Sequence, residues 1–202
     1  LGIAAGPLAW KAAAENTDRA TDAGNAFPSF PLGLASYTLR AFDLDQVITI
    51  SKRVGLPRIV LNSMHLPLET PEAGIRDAAA KVRAAGLDLF GCGVVYMKTA
   101  EEVEQAFSYA RAAGMTMIVG APDPEILELV NRKIKETAIA VAIHNHGPDN
   151  NRYPTPVDAY TLIKGLDPRF GVCIDVGHTL RAGMDPAEAA ERCADRLLDI
   201  HI

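Results

Sequence analysis

The sequence predicts an α/β protein built as a (β/α)8 barrel, or TIM barrel, truncated after the seventh strand. From residue 31 to residue 202, short apolar runs alternate with longer amphipathic ones. Several of the short runs are apolar at nearly every position, as parallel strands covered on both faces must be. The segment after the first run, residues 37–43, lacks the glycines with which an open doubly wound sheet usually binds its ligand. A closed barrel is therefore favoured.

Seven segments are predicted as strands because they are short and bounded by turn residues. They are residues 32–39, 58–62, 87–96, 115–119, 139–145, 170–175 and 197–202. A spacing of roughly 25 to 30 residues per strand matches a barrel of about 250 residues. On this count we expect the eighth strand–helix unit to be missing from the chain.

Helices are predicted between the strands, for example at residues 44–54, 73–85 and 101–113. Four helices are expected to start at a capping residue followed by proline: Thr70-Pro71, Asp123-Pro124, Thr155-Pro156 and Asp185-Pro186. A fifth start is predicted by the capping-box pattern from Thr99 to Glu102. Glycines expected to end helices in a left-handed turn are Gly55, Gly86, Gly114 and Gly165.

Residues 1–30 are predicted to be a leader or linker preceding the barrel at residues 31–202. The first ten residues are small and apolar, like the end of a signal peptide, and residues 11–29 are polar without apolar periodicity. Two interpretations stay open: a signal remnant of a periplasmic or secreted protein, or a disordered leader of a cytoplasmic one. Because no later stretch reaches the ~18 consecutive apolar residues of a membrane span, we expect no membrane partner.

The composition narrows the range of partners. The chain of 202 residues has 20 basic and 25 acidic residues, a net charge of 20 − 25 = −5, and no basic cluster. Nucleic acid is therefore not expected as a partner, and small neutral or metal-bridged substrates fit better. The three cysteines form no C-x-x-C pair, which excludes a disulfide scaffold, and Cys92 and Cys173 are interpreted as buried core residues. A homo-oligomer is left open.

The histidines carry the functional signal. Parallel α/β folds bind ligands at the carboxyl ends of their strands, where side chains from several strands converge. All five histidines end or follow a predicted strand: His65, His144, His146, His178 and His201. We therefore expect them at one face of the barrel, although His65, in a loop beside Pro67, is better explained as a hydrogen-bonded residue than as a ligand.

Asp175 supplies a carboxylate at the same face, because it ends an otherwise apolar strand. Histidine nitrogen and carboxylate oxygen suit a divalent transition metal such as Mn, Zn, Co or Fe better than calcium. We predict His144, Asp175 and His201 as metal ligands, with a helix cap or salt bridge as the alternative role of Asp175. His146 is predicted to contact substrate or support the site.

Three motifs resemble the xylose-isomerase-like TIM-barrel superfamily, specifically its sugar phosphate isomerase/epimerase branch. They are His144-Asn-His-Gly147, Cys173-Ile-Asp-Val-Gly-His178 and Asp199-Ile-His201. The resemblance spans residues 31–202 and implies that Asp175 and His201 occupy metal-ligand positions, while His146 and His178 occupy substrate-contacting or supporting positions. The family also uses a glutamate after the fifth strand, where this chain has His144, and one on the eighth strand, beyond Ile202.

The resemblance implies a divalent-metal-dependent sugar or sugar phosphate isomerase or epimerase. Such enzymes transfer a proton next to a carbonyl between two glutamates, while the metal polarises the substrate oxygens. Because His144 replaces one glutamate, a sugar-binding barrel without catalysis is the first alternative. The second is a metal-dependent phosphodiesterase or endonuclease of the same superfamily, which the lack of a basic patch disfavours.

Overall fold

The computed structural model describes residues 31–202, and the predicted leader or linker at residues 1–30 lies outside them. Seven parallel strands pair in chain order to form one curled sheet, a half-barrel with helices between the strands. The strands are β1 (Gly33–Ala35), β2 (Arg58–Leu61), β3 (Asp88–Met97), β4 (Met117–Pro122), β5 (Ala140–His144), β6 (Phe170–Asp175) and β7 (Leu197–His201). The helices are α1 (Leu44–Arg53), α2 (Glu72–Ala84), α3 (Ala100–Ala112), α4 (Leu127–Thr137), α5 (Pro156–Ile163), α6 (Val176–Arg181) and α7 (Pro186–Arg192).

The first strand is much shorter than the predicted residues 32–39. Only Gly33–Ala35 is extended, and Ser36–Leu39 forms a 3-10 helix. The hydroxyl of Ser36 accepts a hydrogen bond from the N–H of Asn62 at 2.8 Å, which ties the turn to the end of β2. Apolar periodicity alone does not distinguish a short strand from a short helix, so this change was not predictable from the sequence pattern.

Three of the predicted helix caps are confirmed. Thr99 and Thr155 each form a capping box, with Glu102 and Asp158 respectively, and the side chain of Asp185 caps α7. In α3, the N–H of Glu102 donates to the Thr99 hydroxyl while the Glu102 carboxylate accepts from the N–H of Thr99. These reciprocal bonds satisfy N–H groups that would otherwise lack partners at the first turn.

The side-chain caps predicted at Thr70 and Asp123 do not form. Helix α2 starts at Glu72, and Pro71 instead of Thr70 takes the capping position, with no side-chain cap. Asp123 caps nothing with its side chain, because its carboxylate instead pairs with the guanidinium of Arg152 at 2.7 Å. Pro124 begins a single 3-10 turn, Pro124–Ile126, before α4.

Three of the four predicted helix-ending glycines are left-handed, and Gly165 is not. Gly55, Gly86 and Gly114 have φ angles of +75°, +86° and +62°. The carbonyls at the end of α5 are satisfied in another way: the Arg196 guanidinium donates to the carbonyl oxygens of Lys164, Leu166 and Asp167 at 2.7, 3.2 and 3.0 Å. The side chain of Arg196, the residue just before β7, thus replaces the left-handed turn.

The sheet is covered on its outer face and packed on its inner face. Helices pack against outward residues such as Ile118 and Ile143. A smaller apolar cluster lies on the other side of the strands and includes Val119, Ala142 and Cys173. Because side chains alternate along a strand, Asp175, two residues after Cys173, continues the inner row at the carboxyl end of β6. Within residues 31–202, no helix has the length and apolar character needed to cross a membrane.

Candidate functional site

Strand register brings functional side chains into two neighbouring rows. His144 at the end of β5 pairs with Cys173 on β6, and Cys173 pairs with Asp199 on β7. Two residues further along β6 and β7, Asp175 pairs with His201. Paired residues of adjacent parallel strands share a face of the sheet, so the backbone itself sets these side chains side by side.

Four of the five histidines converge on this face. The ring of His144 lies at the centre, with centroid distances of 4.7 Å to His146, 4.9 Å to His201 and 5.9 Å to His178. His146 and His178 are 5.7 Å apart. The prediction that the histidines at strand ends lie at one face is therefore confirmed for these four. We call them the histidine cluster (His144, His146, His178 and His201).

His65 stands apart from the histidine cluster and has a structural role. Its Nδ1 lies 2.9 Å from the hydroxyl of Ser36 and its Nε2 lies 3.3 Å from the carbonyl oxygen of Leu39. Both ring nitrogens are thus engaged, and the side chain fastens the loop after β2 to the 3-10 helix after β1.

Asp175 is held by several hydrogen bonds. Its Oδ1 accepts from the backbone N–H of His178 at 2.7 Å and so caps α6, while its Oδ2 lies 3.4 Å from Nε2 of His144. Its own backbone N–H donates to the side-chain oxygen of Asn145 at 2.9 Å. Burial alone would raise the pKa of the Asp175 carboxyl, but the hydrogen bonds from His144 and from the His178 N–H outweigh burial and lower the pKa to about 2. Asp175 is therefore a carboxylate at neutral pH.

Two members of the histidine cluster are neutral imidazoles at neutral pH. Burial lowers the pKa of His144 in spite of its bond to Asp175. Burial, reinforced by the neighbouring His144 and His178 rings, lowers the pKa of His146 to about 4. A neutral imidazole retains a lone pair, which is the form that binds a metal ion or accepts a proton.

Hydrogen-bond partners assign the tautomers of two rings. The carboxylate of Asp175 only accepts, so Nε2 of His144 carries the proton and Nδ1 keeps a lone pair. The guanidinium of Arg181 only donates, and its Nη1 lies 3.2 Å from Nδ1 of His178. His178 therefore accepts at Nδ1 and carries its proton at Nε2, where it is available to a substrate oxygen. Arg181 is itself paired with Asp149.

Several polar atoms of the cluster are buried and lack a hydrogen-bond partner within the described residues. They are Nδ1 of His144, Nδ1 of His146 and Nε2 of His201. A buried polar atom without a partner costs about 1 to 3 kcal/mol, so three such atoms at one end of the sheet indicate a ligand site. Nitrogen donors beside an ionised carboxylate fit the divalent transition metal expected from the sequence.

Sequence reasoning missed Cys173 and Asp199. The thiol of Cys173 is buried, as predicted, yet Sγ lies within 4.8 Å of a ring nitrogen of His144 and one of His201. Oδ2 of Asp199 lies 3.8 Å from that Sγ and 3.4 Å from Nε2 of His201. The sequence does show that Cys173 stands two residues before Asp175, and Asp199 two residues before His201, so each pair shares a face of its strand. A cysteine inside an apolar strand is nevertheless usually interpreted as a core residue.

Tyr96, near the end of β3, was also missed. Its hydroxyl lies 2.9 Å from Nε2 of His146, and its ring is 49% exposed at the same end of the sheet. The rule applied to the histidines would have found it, since Tyr96 is the last residue of the predicted third strand. Tyrosine is common in strands and drew no attention there.

A family model described as xylose isomerase-like TIM barrel matches residues 9–202. The chain belongs to the xylose isomerase-like TIM barrel family. Among curated protein sequences, none matches this chain.

Solved structures share the fold of this xylose isomerase-like barrel. An uncharacterized protein of Parabacteroides distasonis has a TM-score of 0.71 at 22% identity, with 84% of this chain and 73% of that chain covered. A sugar phosphate isomerase/epimerase of the same organism has a TM-score of 0.63 at 18% identity, covering 91% and 79%. The apo 3-keto-D-glucoside 4-epimerase of E. coli has a TM-score of 0.67 at 13% identity, covering 86% and 79%. At these identities the likeness shows the fold.

Proposed function

We propose that this xylose isomerase-like barrel is a divalent-metal-dependent isomerase or epimerase of sugars or sugar phosphates that moves a proton next to a carbonyl. The observation that carries the proposal is the set of buried, unpartnered imidazole nitrogens beside ionised Asp175 at the strand ends. The names of two structural neighbours, a sugar phosphate isomerase/epimerase and a 3-keto-D-glucoside 4-epimerase, support a sugar as the small-molecule substrate.

His144, Asp175 and His201 would hold the metal. When bound, a divalent metal polarises a carbonyl or hydroxyl oxygen and stabilises the negative charge that develops there. Oδ2 of Asp175 lies 3.4 Å from Nε2 of His144, so these two proposed ligands are neighbours.

His178 and His146 act on the substrate. His178, with its proton on Nε2, donates a hydrogen bond to a substrate oxygen, and Arg181 keeps it in that tautomer. His146 is neutral because burial lowers its pKa to about 4, so it accepts a hydrogen bond or a proton from the substrate. The Tyr96 hydroxyl fixes the orientation of the His146 ring.

A sugar-binding barrel without turnover is the second candidate. The observation that favours it is the buried imidazole of His144 at the position where the family commonly has glutamate. An imidazole ligates metal, but it does not reproduce the charge and reach of a carboxylate base.

Deuterium exchange separates the two candidates. The metal-loaded full chain is incubated in D2O with a panel of ketohexoses and their 6-phosphates, and proton NMR follows the signal of the carbon-bound hydrogen next to the carbonyl. An isomerase or epimerase replaces that hydrogen with deuterium in at least one sugar. Sugar binding without exchange in any member of the panel would contradict the proposed activity and favour the binding barrel.

Paired aspartate variants test the metal role. Asp175→Ala should abolish metal retention, because the carboxylate and the orientation of His144 are both lost. Asp185→Ala is the matched control, since Asp185 also caps a short helix but touches no histidine of the cluster. Equal metal retention in the two variants would contradict the assignment of Asp175.

A histidine variant tests the division of roles. His178→Ala should keep the metal while lowering kcat about 100-fold, the usual scale for a general acid–base group. Metal content is measured by plasma emission, and turnover by the exchange assay. Loss of metal in this variant would place His178 among the ligands instead.

A further inference from the structure

We propose that Cys173 is a metal ligand in this chain, and that its thiolate, together with His144 and His201, makes the centre one for zinc or cobalt. This inference rests on the proposed metal site and adds a ligand to it. Neither the sequence motifs nor the family resemblance assigns a role to this cysteine.

The first argument is the position of the sulfur. Sγ of Cys173 and one ring nitrogen each of His144 and His201 all lie within 4.8 Å of one another. The three residues stand on adjacent strands, β5, β6 and β7, whose pairing is fixed by backbone hydrogen bonds. Small side-chain rotations would bring such donors to the metal distances of about 2.0 to 2.3 Å.

Independently of the cysteine, nitrogen atoms of the His144 and His201 rings lack hydrogen bonds. His144 is only 4% exposed, and its Nδ1 has no partner within the described residues. Asp175 holds the proton of that ring on Nε2, which leaves the Nδ1 lone pair free. Nε2 of His201 is buried and forms no hydrogen bond within the described residues, although Oδ2 of Asp199 lies 3.4 Å away. Two unsatisfied imidazoles beside a thiol are better explained by a shared cation than by packing.

The third argument is a comparison with another strand cysteine. Cys92 on β3 is equally buried, but it belongs to the apolar core on the helix-covered face of the sheet. Cys173 lies on the inner face, and its thiol donates a weak hydrogen bond to Oδ2 of Asp199 at 3.8 Å. To bind a metal as a thiolate, Cys173 would lose its thiol proton to solvent and with it this hydrogen bond to Asp199.

The ligand chemistry selects the metal. Thiolate and imidazole ligands suit Zn²⁺ and the similar Co²⁺, whereas Mn²⁺ and Mg²⁺ prefer oxygen ligands. A site with only His144, Asp175 and His201 as ligands would leave manganese as suitable as zinc, so the sulfur makes the difference.

The test is spectroscopic and needs no substrate. The full chain is loaded with Co²⁺, and its near-ultraviolet absorption is recorded for the thiolate-to-cobalt charge-transfer band. The zinc form is examined by X-ray absorption for a sulfur scatterer at about 2.3 Å. We expect both signals in the unaltered chain, their loss in Cys173→Ser, and their retention in Cys92→Ser.

Each outcome is decisive. Bound cobalt without the charge-transfer band, or bound zinc with only nitrogen and oxygen neighbours, would overturn the inference while leaving the proposed function intact. Failure of the unaltered chain to bind either metal would overturn both. Because bound metal without a sulfur signal in the unaltered chain would by itself overturn the inference, it stays falsifiable even if Cys173→Ser does not fold.

Discussion

At the scale of single residues, hydrogen bonds in the candidate site decide where the protons of two imidazole rings sit. Asp175 fixes the proton of His144 on Nε2, and Arg181 fixes that of His178 on the same atom of its own ring. Burial keeps His144 and His146 neutral. His144 and His146 thus present lone pairs at neutral pH, instead of positive charges that would repel a metal ion.

Tyr96→Phe should impair His146 without disturbing the metal. Loss of one hydrogen bond is worth about 1 kcal/mol, so kcat should fall roughly fivefold while metal content stays unchanged. The ¹⁵N chemical shift of His146 Nε2 should move, because the tyrosine hydroxyl is its partner.

The control for this variant is Tyr37→Phe. Tyr37 is another exposed tyrosine, but its ring lies 5.1 Å from the guanidinium of Arg40 and contacts no histidine of the cluster. An unchanged His146 shift in Tyr96→Phe would show that the hydroxyl does not position the ring.

The sequence predicted the residues at strand ends better than those within strands. His144, Asp175 and His201 were found because polar residues at the end of an apolar run are conspicuous. Cys173 is buried, as predicted, but an apolar run does not reveal which of its faces is lined with polar neighbours. That information depends on the register between β6 and β7, which includes an irregularity between Val172 and Cys173.

At the scale of elements, the close approach of β6 and β7 sets the geometry of the site. A side chain at Gly171 would collide with the carbonyl oxygen of Arg196 and approach Cγ of Leu198 to 2.6 Å. Only glycine therefore permits this pairing, which in turn brings His201 beside Asp175. The side chain of the same Arg196 also donates to carbonyl oxygens at the end of α5, so this residue links the start of β7 to α5 as well as to β6.

Gly171→Ala should separate β7 from β6. Overpacking of this kind costs about 1 to 3 kcal/mol, and the displaced His201 should weaken metal retention as well. Thermal unfolding and metal content are measured on the same preparation. Gly165→Ala is the control, because Gly165 has open space around it and lacks a positive φ, so its replacement should leave both quantities unchanged or raise stability slightly. A Gly171→Ala protein as stable and metal-competent as the control would contradict this account of the β6–β7 contact.

The ends of helices and strands were predictable from the sequence where the residues that determine them are close together in the chain. The capping box at Thr99 and the cap at Thr155 depend only on residues close in sequence, and both helix starts were correctly predicted. The ends of β1 and α5 depend on distant partners, Asn62 and Arg196, and were not predictable from local sequence. Tertiary hydrogen bonds replaced the local signals at these two places.

At the scale of the whole molecule, the candidate centre joins three strands of a sheet whose other support is packing and backbone pairing. Within residues 31–202, β1 and β7 are the two edge strands, each paired on one side only. A metal held by His144 on β5, residues of β6 and His201 on β7 would connect an edge strand to the interior. A ligand that binds only the folded state stabilises it, by about 2.7 kcal/mol at a free concentration of 100 times Kd.

Above all, we propose that His144, Asp175 and His201 bind one divalent transition metal. The most direct measurement is the metal content of the purified full chain after equilibration with Zn²⁺ and removal of free metal, determined by plasma emission. We predict close to one equivalent per chain in the unaltered protein. Retention of no zinc by the folded, unaltered chain would contradict the claim.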